Sequence, residues 1–221
     1  MRMTANAWLA RYDALDASMD TEARAQWLLH ACGEYDAEAP EDVRGRAALW
    51  NELGGLCRGG GILDRSEAAF LRAKRLLEDA APGADYATVL NNLAGLYRLQ
   101  RRRAEARSMF EKAGEVYARC EGIPADVLAS CSNNLGLLEL DEQHWTQALE
   151  RFQQALRILG DMDNPRARGT TLANMAFAEL GSGNRAAAAE RMNTAAELYE
   201  TVDSTMAAQC RRYAQELEGT P

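Results

Sequence analysis

The sequence is poor in the residues that punctuate, cross-link or catalyse. Only five prolines interrupt 221 residues, so long helices are possible. Aromatic residues make up 7% of the chain, while alanine, the strongest helix former and one that lets helices pack closely, is plentiful. The five cysteines, Cys32, Cys57, Cys120, Cys131 and Cys210, are odd in number, widely spaced and without a C-x-x-C. They suggest neither a zinc site nor a redox motif and point to free thiols in a reducing compartment, so a cytoplasmic protein is expected. No run of 18 apolar residues occurs, and Arg11, Asp13 and Asp16 soon follow Met1-Arg2-Met3-Thr4-Ala5-Asn6 and leave no apolar h-region, so neither a membrane span nor a secretory leader is expected. Basic residues are outnumbered, and the formal charge of −8 argues against nucleic acid as a partner. The one basic cluster, Arg98, Arg101, Arg102, Arg103 and Arg107, reads as a solvated helix end and turn.

Catalytic groupings are equally scarce. The two histidines, His30 and His144, are far apart in the chain. Gly59-Gly60-Gly61 lacks the Lys-Ser/Thr of a phosphate loop. Asp161-x-Asp163-Asn164 begins like a calcium loop but has Arg166 where glycine is needed and Leu172 where glutamate is needed. No enzyme activity, cofactor or metal is expected.

What the chain does contain is a repeat. Pro40, Pro82, Pro124 and Pro165 fall at steps of 42, 42 and 41, and proline is tolerated at a helix start, so helices should begin at a fixed phase. Leu53-Gly54, Leu93-Ala94, Leu135-Gly136 and Met175-Ala176 follow in equivalent places. Thirteen residues after each large residue comes a small one (Ser66, Ala106, Ala148, Ala188), then a large one (Phe70, Phe110, Phe152, Met192). Alanine comes next every time (Ala73, Ala113, Ala155, Ala195), and after it Leu77, Tyr117, Leu159 or Tyr199. The spacing is that of one helical face. The small residues let two helices approach and the large one fills the space between them. Such a pair must stack on neighbours to bury its face.

Trp50-x2-Leu53-Gly54-x2-Cys57 with Ser66-x3-Phe70-x2-Ala73 resembles the tetratricopeptide pattern W-x2-L-G-x2-Y…A-x3-F. Leu90-x2-Leu93-Ala94-x2-Tyr97 with Ala106-x3-Phe110 is similar. The third and fourth copies carry Glu139 and Glu179 where an aromatic is usual, and the usual closing proline is absent. The step of 40–42 residues, with Leu90-Asn91-Asn92-Leu93-Ala94, resembles the kinesin-light-chain type of repeat. HEAT repeats have a similar period but lack these columns. The resemblance implies an all-α fold, a right-handed α-solenoid of antiparallel helix pairs with about 11 helices, spanning 1–221 as a single domain. Residues 1–39 are expected to form a divergent first pair or N-terminal cap, 40–202 four repeats, and 203–221 a C-terminal capping helix.

In such a stack the first helices line the inner face. One column there reads Asn51, Asn91, Asn133, Ala173; the next reads Glu52, Asn92, Asn134, Asn174. Six of these eight positions are asparagine, in a chain with ten asparagines. Helix propensity does not explain this, since asparagine is a middling helix former. A side-chain amide pairs with both the N–H and the C=O of an extended chain, and the resemblance implies a peptide-binding groove of that kind. The competing use is to bond neighbouring helices and hold the register of the repeats. Flanking columns read Gly55, Gly95, Leu137, Phe177 and Arg58, Arg98, Leu140, Leu180. An acidic or carboxylate group is therefore expected near Arg58 and Arg98, and an apolar side chain near Leu137 and Phe177. Leu140 and Leu180 could equally pack on the next repeat. The positions of a carboxylate clamp, Ala48, Thr88, Thr170 and Asn174, hold no basic residue. The expected role is a protein–protein interaction module for an extended peptide or a partner's tail. The alternatives are a peptide sensor acting on a separate effector and a homodimer anchored through Trp8 and Trp27.

Overall fold

The structure, a computed structural model, describes residues 3–16, 18–80, 82–160 and 162–219. The described residues form eleven α-helices and no strand. The chain divides into two compact units, Met1–Glu121 and Gly122–Pro221.

The first unit opens with α1 (Ala5–Asp13) and α2 (Thr21–Glu38), capped by the side chains of Thr4 and Asp20. Two helix pairs follow: α3 (Val43–Gly59) with α4 (Leu63–Glu78), and α5 (Ala84–Leu99) with α6 (Arg103–Tyr117). In the second unit α7 (Ala125–Asp141) pairs with α8 (Trp145–Leu159), and α9 (Pro165–Gly181) with α10 (Arg185–Tyr199). Then α11 (Ser204–Gly219) packs on α10. First helices start at 43, 84, 125 and 165, the fixed phase that the prolines predict. Only Pro165 lies inside its helix; Pro124 is an N-cap, and Pro40 and Pro82 stand just before the helix.

The repeat columns build the core. Phe70, Phe110 and Phe152 are fully buried, as are Ala73, Ala113, Ala155 and Ala195. Glycine is needed where the phenylalanine ring meets the first helix: a Cβ on Gly54 would lie 2.5 Å from Phe70, and one on Gly136 2.5 Å from Phe152. Ser66, at the small-residue column, donates to the Gly54 carbonyl at 2.8 Å. The turns inside the pairs also repeat. Gly61, Arg101, Gln143 and Gly183 all have positive φ, at 76°, 61°, 62° and 86°.

The ends are tied differently. In the first unit Asp36 of α2 receives Arg46 at 2.7 Å, Arg72 at 3.2 Å and the Trp50 indole N–H at 3.3 Å, so one carboxylate joins α2 to α3 and α4. Burial alone would raise the Asp36 pKa, but the hydrogen bonds from Arg46 and Arg72 outweigh it and hold the carboxyl below its ordinary value. Trp8 and Trp27 stack edge-on at 5.7 Å within the same cluster. In the second unit Ala207, Cys210, Ala214 and Leu217 bury the apolar face of α11. Arg185 donates to the carbonyls of Leu217 and Glu216, closing the C-terminal end of α11.

Candidate functional site

Within each unit, successive first helices meet directly: α1 with α3 and α3 with α5 in one, α7 with α9 in the other. The asparagines lie at these meetings. Asn92 of α5 donates to Asn51 Oδ1 of α3 at 3.0 Å, and Asn174 of α9 donates to Asn133 Oδ1 of α7 at 3.1 Å. Both bonds span 41 residues, and the second repeats the first 82 residues on. Each bond uses one N–H and one oxygen lone pair. The other N–H and the oxygen of the donating amide, and the NH2 group of the accepting one, are left over. All four side chains are half-buried. Asn91 is buried at 7% exposure and belongs to the helix packing, while Asn134 is half-buried. In place of an asparagine the first unit has Glu52, whose pKa is raised by burial and by the nearby Asp13, with Arg24 opposing.

The flanking columns differ between units. Arg58 is half-buried, donates to the Asn92 carbonyl at 3.3 Å and lies over Phe70, with its guanidinium against Gly95. A Cβ on Gly95 would lie 2.8 Å from that guanidinium, so glycine makes room for it. Burial and the like charge of Arg98 lower the Arg58 pKa. Arg98 is also half-buried. In the second unit Leu137, Leu140 and Leu180 pack, partly buried, against the core. Phe177 is 39% exposed and meets Tyr213 of α11 edge-on at 5.4 Å.

The rest of the basic cluster is dispersed. Arg101 and Arg103 are exposed, whereas Arg102 pairs with Glu67 and Glu105, each at 2.6 Å, and covers the Tyr97 ring. Burial pushes the Cys32 thiol up to about 12 and Cys131 up to about 11. Cys57 and Cys210 are raised for the same reason. Such thiols are inert. His144 Nδ1 lies 2.9 Å from Glu139 and 3.5 Å from Glu142 at the α7–α8 turn, a grouping the sequence reading missed. Asp161 of the calcium-loop comparison lies outside the described residues.

Two further features adjoin the first helices. The Thr88 hydroxyl bonds the Tyr117 hydroxyl at 2.8 Å, and Thr170 bonds Tyr199 at 2.6 Å, again 82 residues on. A cavity of about 410 Å³ opens among the first turns of α1, α3 and α5 beside Leu77. A smaller one of about 130 Å³ lies among α7, α9 and Leu159. The alternation Leu77, Tyr117, Leu159, Tyr199 was the available signal. No described helix is long and apolar enough to cross a membrane.

No curated protein sequence matches this chain. Among solved structures it is similar to BtubC (BKLC) from P. vanneervenii, with a TM-score of 0.73 and 19% identity over 90% of this chain and 81% of that one. It is also similar to the kinesin-light-chain-type protein of Podosopora anserina with nearly identical TPR-like repeats, with a TM-score of 0.67 and 14% identity over 92% and 100%. The apo form of RapI gives a TM-score of 0.67 and 12% identity over 97% of this chain and 70% of that one. At these identities the likeness is one of fold. The tetratricopeptide repeat model matches residues 45–119 and again 85–161, together more than half of the sequence. With the repeat columns buried as that pattern requires, the chain belongs to the tetratricopeptide repeat family.

Proposed function

We propose that the chain is a non-enzymatic protein–protein interaction module whose inner faces hold an extended peptide or a partner's tail. The supporting observation is the repeated amide pair, Asn51–Asn92 and Asn133–Asn174. Each pair is fixed by its own hydrogen bond. It therefore presents its remaining donors and acceptors at little entropic cost, the condition under which polar groups contribute to affinity. A peptide backbone offers the matching N–H and C=O whatever its side chains. Arg58 and Arg98 favour a carboxylate on the part of the ligand at the first unit, and Leu137 and Phe177 an apolar side chain at the second. Register holding and ligand binding are compatible uses of one amide, because the inter-helix bond leaves atoms over.

The test is a pull-down from lysate of the source organism, with wild type beside an Asn92→Ala, Asn134→Ala, Asn174→Ala variant that still melts cooperatively. A protein retained by wild type and lost by the variant supports recognition through the amides. Equal retention by both moves the interface elsewhere and leaves the amides a structural role.

A further inference from the structure

The 82-residue offset extends beyond the amide pairs. The cavity of the first unit is lined by Ala48, Asn51, Leu77 and Thr88, and that of the second by Ser130, Asn133, Leu159 and Thr170. These are the same four columns, each displaced by 82. One cavity of this lining lies in each unit, beside the leucine of the Leu–Tyr alternation. In the second pair of each unit that column holds a tyrosine, Tyr117 or Tyr199, whose hydroxyl bonds the threonine of its own first helix, Thr88 or Thr170. In the first pair the residue is Leu77 or Leu159, and the cavity lies beside it.

We infer that each unit carries its own peptide seat, made of this cavity and the adjoining amide pair, and that the two seats select side chains of different size. The inference rests on the peptide-binding reading above. The first seat is the larger. Leu77 and Val89 give it an apolar floor, and Asn6 and Asp85 stand at its polar rim. It suits a long side chain with an apolar body and a polar tip, such as tyrosine. Its width depends on Gly45, because a Cβ there would lie 2.9 Å from Ala5 and run into the Asp42 carboxylate. Asp42 is itself committed, accepting from Tyr35 Oη at 2.6 Å and from the Gly45 N–H at 2.9 Å. The second seat has about a third of that volume and is ringed by the hydroxyls of Ser130, Thr170 and Thr171. It suits a small side chain, such as alanine, serine or valine.

Ala48 and Ser130 occupy the same column and are both exposed, so a larger residue at either fills its cavity without entering the core. A random dodecapeptide library is selected on the full chain as wild type, as Ala48→Trp and as Ser130→Trp, each checked by a cooperative melt. Wild type should enrich two peptide classes, one with a long amphipathic side chain at a fixed position and one with a small side chain there. Ala48→Trp should reduce recovery of the first class at least tenfold and spare the second; Ser130→Trp should do the reverse. A single class lost with either change, or two classes insensitive to both, overturns the two-seat inference. In those cases loss on the triple asparagine variant would leave the groove reading standing. Failure of wild type to enrich any peptide would overturn both.

Discussion

The two units are variations on one plan, and their differences fall on separate columns from their likenesses. Phe70 and Phe152, Ala73 and Ala155, Gly54 and Gly136, and the two amide pairs coincide at an offset of 82 residues. Where the units part company is on the inner face: Arg58 against Leu140, Gly95 against Phe177, Ala48 against Ser130. The columns that bring helices together hold the fold, and those between them vary from one unit to the other. The outer attachments differ too. The first unit is extended by a helix pair tied on through the Asp36 ion-pair network. The second is extended by a lone helix buried on alanine, cysteine and leucine.

The largest effect should come from the shared columns. Phe70→Ala and Phe152→Ala each empty a fully buried site and should each cost about 3–5 kcal/mol. Urea unfolding followed by circular dichroism would read this. Near-equal losses are expected if the two units are energetically alike. A loss confined to one would show that only that unit depends on its column.

Asp36→Ala comes next and should act on the first unit alone. It removes the acceptor of two arginines and an indole, a loss of about 2–3 kcal/mol. Because the folded pKa of Asp36 lies below its ordinary 3.8, its contribution is complete above that value and is lost as pH falls through the folded one. Asp42, lowered by Tyr35 and the Gly45 N–H, has the same sign. So does Glu67, where hydrogen bonds from Arg102 and Gln100 overcome the effect of burial. Hydrogen exchange during acidification should therefore show the first unit opening before the second, below about pH 4. Simultaneous opening would remove the distinction between the two attachments.

These contrasts also show what the sequence could carry. Four copies of a helical face were legible because each column answers to a short-range need: room for a phenylalanine ring, closeness between helices, a place to start. The inner face was legible only as a surface. The excess of asparagine marked it, but the partners were out of reach, because Asn51 and Asn92 meet across 41 residues through the exact rotation of α3 against α5. The same limit concealed the burial of Asn91 and the packing of Arg58 on Gly95. The division into two units left its trace in alternations such as Leu–Tyr, which a search for a 40–42-residue period averages away.

Glu52 is the one carboxylate in a column otherwise of asparagine, and it sharpens the comparison from the other side. Its folded pKa is raised by burial and by Asp13, so the charged form is disfavoured in the native state. Stability from the protonated form is present below the ordinary value of 4.5 and is lost as pH rises through the folded value. Glu52→Gln should therefore stabilise at neutral pH, by about 1 kcal/mol, and the gain should vanish towards pH 4. Paired melts at pH 7 and pH 4 would test this. A gain equal at both pH values would mean that charge is not its cause.

The smallest effect concerns the turns. Of the turns inside the helix pairs, each unit has one with glycine at positive φ and one without: Gly61 and Arg101 in the first, Gln143 and Gly183 in the second. A non-glycine residue in the left-handed region costs roughly 1–2 kcal/mol, and glycine returns part of that through the freedom it gives the unfolded chain. Gln143 is exposed, so its replacement removes no core contact. Gln143→Gly should then stabilise by about 0.5–1 kcal/mol, while Gly61→Ala, the reverse change at the equivalent turn, should destabilise by a similar amount. Opposite signs from these two substitutions, read as shifts of the urea midpoint at constant slope, would show that turn chirality acts alike in both units. A loss from Gln143→Gly would mean that its side chain stabilises the turn by more than the strain of its backbone.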